Sequence, residues 1–167
     1  SMIYYRAINK KIALDQINPY RFLEPISPAA AIKRSKRKIT INDYLSKLKD
    51  LPNSDLIIIE GAGGLCSPLA SDGYNIDLIR KAKVSTVLVA KDEIGVINNV
   101  ILSLSMLQKY KIKVLAIVLN RKVSSQPDGM NNYKEIQSLT KIPLIQILNK
   151  KENNDREFKK LIKIILV

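Results

Sequence analysis

The sequence predicts an α/β protein with a doubly wound, mostly parallel sheet and helices on both faces. Short apolar runs recur along the chain, and they are rich in β-branched residues on both faces, which is typical of parallel strands covered on both sides. Stretches with helical spacing lie between these runs, and strands alternating with helices indicate this fold class. The 167 residues match the size of one such domain, so we expect a single domain over residues 1–167.

Four runs are predicted to be buried strands of this sheet. Each run has the length of an ordinary strand, and each is separated from the next by a turn or a helical pattern. In chain order they are "DLIIIE" (residues 55–60), "VSTVLVAK" (84–91), "KVLAIVLN" (113–120) and "IPLIQIL" (142–148).

The intervening stretches predict helices. The first of them has a polar start followed by Tyr44, Leu45 and Leu48 at helical spacing. The helical stretches are "TINDYLSKLKDL" (40–51), "NIDLIRKAK" (75–83), "INNVILSLSMLQKY" (97–110) and "NNYKEIQSLT" (131–140), and the tail "EFKKLIKIILV" (157–167) suits a helix or a late strand. Three prolines in "INPYRFLEPISPAAA" (17–31) predict an extended, turn-rich segment.

Composition excludes several classes of protein. The chain has no histidine, which rules out His-based catalysis and His-ligated zinc. Cys66 is the only cysteine, so no intrachain disulfide can form, and we expect its side chain to act as a small apolar filler. No apolar run reaches the roughly 18 residues that a membrane span needs, and the polar start is unlike a signal peptide. We therefore expect a cytoplasmic protein without a membrane partner.

The net charge of +13 has two readings. It could attract nucleic acid, anionic lipid or phosphorylated ligands, or it could be a solvated lysine-rich surface. The one local run, "KRSKRK" (33–38), contains no aromatic residue on which bases could stack. The scattered lysines favour the solvated surface, and we do not expect a nucleic-acid partner.

Glu60 and the glycines that follow it form the first candidate site. Ligands of open α/β sheets bind beyond the carboxyl ends of the strands, where Glu60 is predicted to lie. A carboxylate there could hold Mg²⁺ beside a nucleotide, and Gly61, Gly63 and Gly64 would let backbone N–H groups approach phosphate or carboxylate oxygens. The alternative is a tight turn with an incidental acid.

Asparagines mark two further candidate positions. Asn120 ends the third predicted strand, and its amide carries both a donor and an acceptor with which it could read a purine edge. Asn98 and Asn99 begin a predicted helix. Each asparagine could instead be an ordinary turn or helix-start residue.

Taken together, these segments resemble the dethiobiotin synthetase family, the ATP-dependent cyclo-ligases of biotin biosynthesis. "NPYRFLEPISPAAA" is similar to the family's N-P-Y-x-F-x-x-P-x-S-P segment, and "IIIEGAGGLCSPL" to its E-G-A-G-G-x-x-x-P-L motif. "IGVINNVILS" is similar to its G-x-I-N-H helix start, and "VLNRK" to its adenine-binding strand end. The resemblance runs from residue 17 to about residue 148 and implies a P-loop NTPase-like fold.

The resemblance also implies roles for the candidate residues. Glu60 would be a ligand of Mg²⁺ or would contact one of its ligands, such as a bound water, while Gly61, Gly63 and Gly64 would line the nucleotide and substrate site. Asn120 would recognise the adenine of ATP. A further segment would hold the carboxylate of 7,8-diaminopelargonic acid from the partner subunit of a homodimer. That segment consists of Ile94, Gly95, Val96, Ile97 and Asn98.

The implied reaction fixes CO₂ as a carbamate on the diamine, phosphorylates it with ATP and closes the ureido ring. Such phosphoryl transfer depends on positioning and charge neutralisation rather than on a protein nucleophile, which agrees with a chain that has no histidine. The implied cofactors are ATP and Mg²⁺, and the implied substrates are diaminopelargonic acid and CO₂.

The sequence departs from the family pattern in its phosphate-binding part. It contains no G-x-x-x-x-G-K-[ST] motif, so the catalytic Lys and Thr have no counterpart, the first strand is missing and activity of this chain is expected to be impaired. The chain could be part of a longer protein, a natural truncation, or a chain in which "MIYYRAI" (2–8) or a partner fills the gap. "MIYYRAI" is strand-like in composition but helical by alignment with the family.

Smaller departures affect single positions, and two other functions stay open. Asn99 stands where the family has His, Glu93 where a basic residue is common, and Leu148 where a late proline would contact adenine. One alternative is a non-catalytic remnant or scaffold of the family. The other is a partition-type ATPase relative that binds DNA, against which the "NPYRFLEPISP" segment argues.

Overall fold

The structure is a computed structural model that describes residues 1–122, 126–149 and 154–166. The chain divides into two compact units, unit 1 (Ser1–Ala82) and unit 2 (Lys83–Val167). Among the described residues, every helix is too short or too polar to cross a membrane.

Unit 1 is mostly helical and contains one small antiparallel hairpin. Two of its helices begin at residues whose side chains cap the helix N-terminus, Ser27 and Thr40. Ser27 accepts a hydrogen bond from the Ala30 N–H and precedes a proline at the first helical position. The elements of unit 1 are α1 (Met2–Ala7), α2 (Leu14–Ile17), α3 (Pro28–Arg34), α4 (Ile41–Lys49), β1 (Pro68–Ala70), β2 (Gly73–Tyr74) and α5 (Asn75–Ala82).

The core of unit 1 forms between α4, β1 and α5. Thr40 and Asp43 make a reciprocal capping box at the start of α4, and the hydrogen bonds from Thr40 lower the pKa of the Asp43 carboxyl. Tyr44 packs against the core, donates its hydroxyl to the Leu69 carbonyl at 3.4 Å and has its pKa raised by burial to about 12. The buried core side chains are Ile41, Leu69, Ala70 and Leu78, with Tyr44, Leu45 and Leu48 packed against them.

Unit 2 contains a parallel sheet of three strands, and this confirms the predicted α/β class. The middle strand is hydrogen-bonded to both others. Buried side chains of the sheet and of the helices, among them Val100, Ile117 and Ile136, form one hydrophobic core. The elements of unit 2 are β3 (Thr86–Lys91), α6 (Val96–Lys109), β4 (Val114–Asn120), α7 (Asn132–Leu139), β5 (Leu144–Ile147) and α8 (Asp155–Ile165), and the strand order is β3-β4-β5. The tail, for which the sequence allowed a helix or a late strand, forms helix α8.

The prediction of a buried strand at residues 55–60 is wrong. This run has no regular secondary structure, and its apolar side chains are exposed, Ile58 at 77%. A strand in a core needs neighbours that pair with its backbone N–H and C=O groups, and none of the described strands pairs with this run. The apolar composition of residues 55–60 matches the pattern of a buried strand, but among the described residues no neighbouring strand pairs with it.

Two predictions for the first part of the chain are also corrected in detail. The segment at residues 17–31 is turn-rich only up to Ser27, because Pro28 begins α3 instead of continuing an extended run. Residues 2–7 form α1, so the strand-like composition of "MIYYRAI" is overridden and its helical reading is confirmed.

Candidate functional site

The glycine loop, residues 60–67, lies in unit 1 between the unpaired apolar run and β1. Gly63 has a φ of +78°, which a residue with a side chain rarely adopts, and a Cβ there would lie 2.7 Å from the Ser67 Oγ. Ser67 closes the loop, because its Oγ accepts a hydrogen bond from the Gly64 N–H at 2.8 Å and its N–H donates to the Gly64 carbonyl at 2.9 Å. The exposed loop therefore has a defined conformation of its own.

Asn75, the first residue of α5, fixes the other side of the glycine loop, and sequence reasoning missed it. Its buried Nδ2 donates to the Ala62 carbonyl at 2.8 Å and to the Gly64 carbonyl at 2.9 Å. Its Oδ1 lies 2.7 Å from the place where a Cβ on Gly61 would stand. Gly61 is thus required by the close approach of Asn75, and an asparagine at a predicted helix start was the only signal in the sequence.

Replacing Gly61 with Ala is expected to destabilise unit 1 by about 1–3 kcal/mol, because the new Cβ must displace the buried Asn75 amide. Gly64 provides a matched control, since a Cβ at Gly64 would meet its nearest atom at 3.7 Å and Gly64→Ala should change stability by less than about 0.5 kcal/mol. Urea unfolding of both variants measures the difference. Equal midpoints for the two variants would contradict the role given to Asn75.

Glu60 begins the glycine loop as an exposed carboxylate. No cluster of three His, Cys, Asp or Glu side chains suitable for a metal ion occurs in the part of the chain that the structure describes. Mg²⁺ commonly takes one or two carboxylates and draws its other ligands from phosphates and water. A single carboxylate fits Mg²⁺ only as one ligand of an ion that a bound nucleotide shares.

Cys66 is exposed in this loop, so the prediction that it fills apolar space is wrong.

Asn120 lies at the carboxyl edge of the sheet in unit 2. It ends β4 and pairs with Lys91 of β3 and with Ile147 of β5, and its carbonyl accepts a hydrogen bond from the Asp92 N–H at 3.0 Å. Its side-chain amide makes no hydrogen bond with any described residue. The edge of the sheet therefore presents a donor and an acceptor that are both uncommitted, at the place where α/β sheets bind ligands.

The 94–98 segment comprises the end of the connection from β3 and the first residues of α6. Gly95 has a φ of +88° and caps α6, and Ile94 is 79% exposed. Asn98 is exposed, whereas the Val96 side chain is buried in the core and its N–H already donates to the Glu93 carbonyl. Ile97 and Asn98 have N–H groups in the first helical turn, where no intrahelical partner exists. Those two N–H groups and the exposed Asn98 amide are donors that the segment can offer.

The structure brings Asn120 and the 94–98 segment together through Asp92, which sequence reasoning missed. Asp92 directly follows β3, and its side chain is fully buried. The sequence signal was an acid immediately after a buried strand, which by itself does not distinguish a buried anchor from a surface turn. The glycine loop, residues 60–67, belongs to unit 1.

A parallel sheet flanked by helices, with an uncommitted amide at its carboxyl edge, is the arrangement of an α/β P-loop NTPase-like protein. A family model described as an AAA domain matches residues 1–157. The chain belongs to the ATP-dependent dethiobiotin synthetase family, as its curated relatives show, and the resemblance seen in the motifs is confirmed.

Three relatives illustrate the match, and each is called ATP-dependent dethiobiotin synthetase BioD. The protein of Nitrosopumilus maritimus is 34% identical over 133 residues, which cover 77% of this chain and 57% of the relative. The protein of Vesicomyosocius okutanii is 33% identical over 168 residues, which cover 100% of this chain and 73% of the relative. The protein of Bacillus licheniformis is 31% identical over 83% of this chain and 60% of its own length. The chain thus spans part of the length of the relatives it matches.

Proposed function

We propose that this chain carries out the nucleotide- and substrate-binding part of dethiobiotin synthesis. In that reaction ATP and Mg²⁺ drive the carboxylation and ring closure of 7,8-diaminopelargonic acid to dethiobiotin. The observation that carries the proposal is 33% identity, along the whole chain, to a relative named for this activity. The family model matches residues 1–157, which include all of unit 1 and most of unit 2, and this supports the further proposal that residues 1–167 are parts of one family domain.

Asn120 is proposed to recognise the adenine of ATP. Its position at the end of the middle strand and its uncommitted amide support this role, because adenine presents a donor and an acceptor side by side. The base is expected to lie over the carboxyl edge of β4.

The glycine loop is proposed to face the phosphates and the substrate. Glu60 would provide one carboxylate to a Mg²⁺ that the nucleotide also holds, and Gly61, Gly63 and Gly64 keep side chains away from the approaching ligand. When bound, Mg²⁺ would neutralise charge on the transferred phosphoryl group. The exposure of Glu60 and of all three glycines supports this assignment.

The 94–98 segment is proposed to hold the substrate carboxylate across a homodimer interface. Its exposed Ile94 offers an apolar contact to a partner copy, and Asn98 with the first-turn N–H groups offers donors to a carboxylate. We further propose a cytoplasmic location, in keeping with the single cysteine and the small polar substrates.

The chain is expected to prefer adenosine to guanosine, and Asn120→Ala is expected to weaken adenosine binding about tenfold. Adenosine has no phosphate, so its binding reports on the base site without any phosphate loop. Ligand-observed saturation-transfer NMR measures the preference, and Gln137→Ala, on the exposed face of α7, is the matched amide control. An adenosine affinity that Asn120→Ala leaves unchanged would overturn the assignment of the base site.

A further inference from the structure

Asp92 is the centre of a buried polar cluster that we call the Asp92 cluster: Asp92, Arg121, Gln126, Asn132 and Gln146. The Asp92 carboxylate accepts hydrogen bonds from the Arg121 Nε at 3.1 Å and the Gln146 Nε2 at 3.1 Å through Oδ2, and from the Asn132 Nδ2 at 2.8 Å through Oδ1. The side chain of Asp92 is completely buried, and that of Arg121 is 24% exposed. Such a buried carboxylate is stable as an anion only when it is fully hydrogen-bonded.

The members of the Asp92 cluster come from every strand end of the sheet in unit 2. Asp92 follows β3, Arg121 follows β4, Gln146 belongs to β5, and Asn132 begins α7. The main chain adds to the connection, because the Asp92 N–H donates to the Asn120 carbonyl at 3.0 Å and the Gln126 side chain donates to the Asp92 carbonyl at 3.2 Å. One carboxylate therefore ties together the edge at which the base site is proposed.

The same cluster also reaches the 94–98 segment. Asn132 shares its Nδ2 between the Asp92 carboxylate and the Glu93 carbonyl, the second contact being 3.3 Å. The Glu93 carbonyl also accepts the Val96 N–H at 3.1 Å, which sets the first turn of α6. A change at Asp92 would thus be transmitted to the start of α6 through Asn132 and to the strand end of Asn120 through Arg121.

We propose that Asp92 is a positioning residue that holds the Asn120 strand end and the 94–98 segment in one fixed arrangement. The proposal rests on the proposed function, because it gives the base site and the substrate-carboxylate site a common anchor. Asp92 itself lies beneath the edge, with no exposed atom on its side chain, and contacts neither ligand. Its effect on binding is exerted through Arg121 and Asn132.

Two substitutions at Asp92 distinguish the two branches of the cluster: the Asn132 branch, which leads to the 94–98 segment, and the Arg121 branch, which leads to the end of β4. Asp92→Ala removes both carboxylate oxygens and with them all three hydrogen bonds that they accept, so both branches should loosen. Asp92→Asn retains one oxygen, and the orientation that keeps two hydrogen bonds turns it toward Arg121 and Gln146, which leaves the amide nitrogen facing Asn132. Asp92→Asn should therefore loosen the 94–98 branch alone.

Backbone ¹⁵N order parameters of the whole chain test this arrangement in the folded state. In the wild type, the amides of Val96, Arg121 and Ile117 should all be rigid, near about 0.85. Asp92→Ala should lower the values of Val96 and Arg121 below about 0.7 while Ile117, inside the sheet, keeps its value. Asp92→Asn should lower Val96 alone. Glu93→Gln, which changes the exposed neighbouring carboxylate, should alter none of them.

The outcomes decide between positioning and simple stabilisation. Lower thermal stability of Asp92→Ala with unchanged order parameters would overturn the proposal, and selective loss at Val96 and Arg121 would support it. If Asp92→Ala shows no cooperative unfolding, the test uses Asp92→Asn instead. A lower order parameter at Val96 would then support the proposal, and an unchanged one would overturn it.

Adenosine binding separates the failure of this proposal from failure of the proposed function. Under conditions in which the variant is folded, Asp92→Ala should bind adenosine about tenfold more weakly than the wild type, and Glu93→Gln should bind it equally. Unchanged affinity in Asp92→Ala would overturn the link to base recognition. If the wild type shows no preference for adenosine, the base site itself is wrong, and the order parameters still decide whether Asp92 positions the two segments.

Discussion

Joining a family-type segment with a G-x-x-x-x-G-K-[ST] loop in front of Met2 is expected to raise the rate of ring closure at least about a thousandfold over the 167 residues alone. Phosphoryl transfer relies on N–H groups and a lysine that stabilise the charge developing on the phosphates. This sequence has no such motif, and Glu60 with its glycines supplies one carboxylate and backbone groups instead. The rate is measured as dethiobiotin formed from diaminopelargonic acid, CO₂ and ATP–Mg²⁺.

Two controls make this experiment specific. Substituting Ala for the lysine of the added loop should return the rate to that of the 167-residue chain, and Asn120→Ala should raise the KM for ATP. Isothermal titration of the 167-residue chain with ATP–Mg²⁺ should detect only weak binding. Micromolar affinity in that titration, or a gain in rate that survives loss of the loop lysine, would show that phosphate stabilisation comes from elsewhere in the chain.

Replacing Asp92 with Ala is expected to lower the free energy of unfolding of unit 2 by about 3 kcal/mol. The substitution leaves the Arg121 guanidinium without its carboxylate and the Gln146 amide without its acceptor, and it leaves the Asn132 amide only its 3.3 Å contact with the Glu93 carbonyl. Urea unfolding followed by the amide signals of Ile117 measures the change within unit 2. Glu93→Gln is the control, because Glu93 is exposed and its surface pair with Lys91 should contribute less than about 1 kcal/mol.

The stabilisation by Asp92 is expected to depend on pH with a definite sign. Burial alone raises the pKa of the Asp92 carboxyl, but hydrogen bonds from Asn132, Gln126, Gln146 and Arg121 together bring the pKa below its usual value. A carboxyl with a lowered folded pKa contributes stability that is fully present above its unfolded pKa, about 3.9, and lost as the pH falls through the folded pKa. The stability difference between wild type and Asp92→Asn should therefore be constant from pH 7 to about pH 5 and shrink below about pH 4. A difference that persists unchanged into strong acid would contradict this account.

Local pattern was sufficient for most of unit 2. The three apolar runs at 84–91, 113–120 and 142–148 each became a strand within a few residues of the predicted bounds. The prediction that they are buried is confirmed for the middle strand β4 but is wrong for β3, where Val89 is 62% exposed, because β3 pairs with only one of the described strands. Helices α6 and α7 were predicted equally well, since their apolar spacing and polar starts are local features, whereas the tail that became α8 had been left open as a helix or a late strand. The place of Asn120 at a strand end followed directly from the run that precedes it.

The family motifs were also readable in the sequence, but their geometry was not. The pattern "EGAGG" indicated a glycine loop, yet the need for Gly61 arises from Asn75, fourteen residues further along the chain. The spacing of Glu60 and the glycines could not show that the run before them would have no strand to pair with.

The sequence by itself determined the family, the fold class and the positions of the strands and of helices α6 and α7 in unit 2, because propensity, periodicity and motif spacing are local properties. Only the tertiary structure decided the exposure of residues 55–60, the hydrogen bonds from Asn75 to the glycine loop and the burial of Asp92. Each of these depends on which distant backbone or side-chain groups are present to complete hydrogen bonds. A strand without a partner stays unpaired, whereas an acid with three donors around it can be buried.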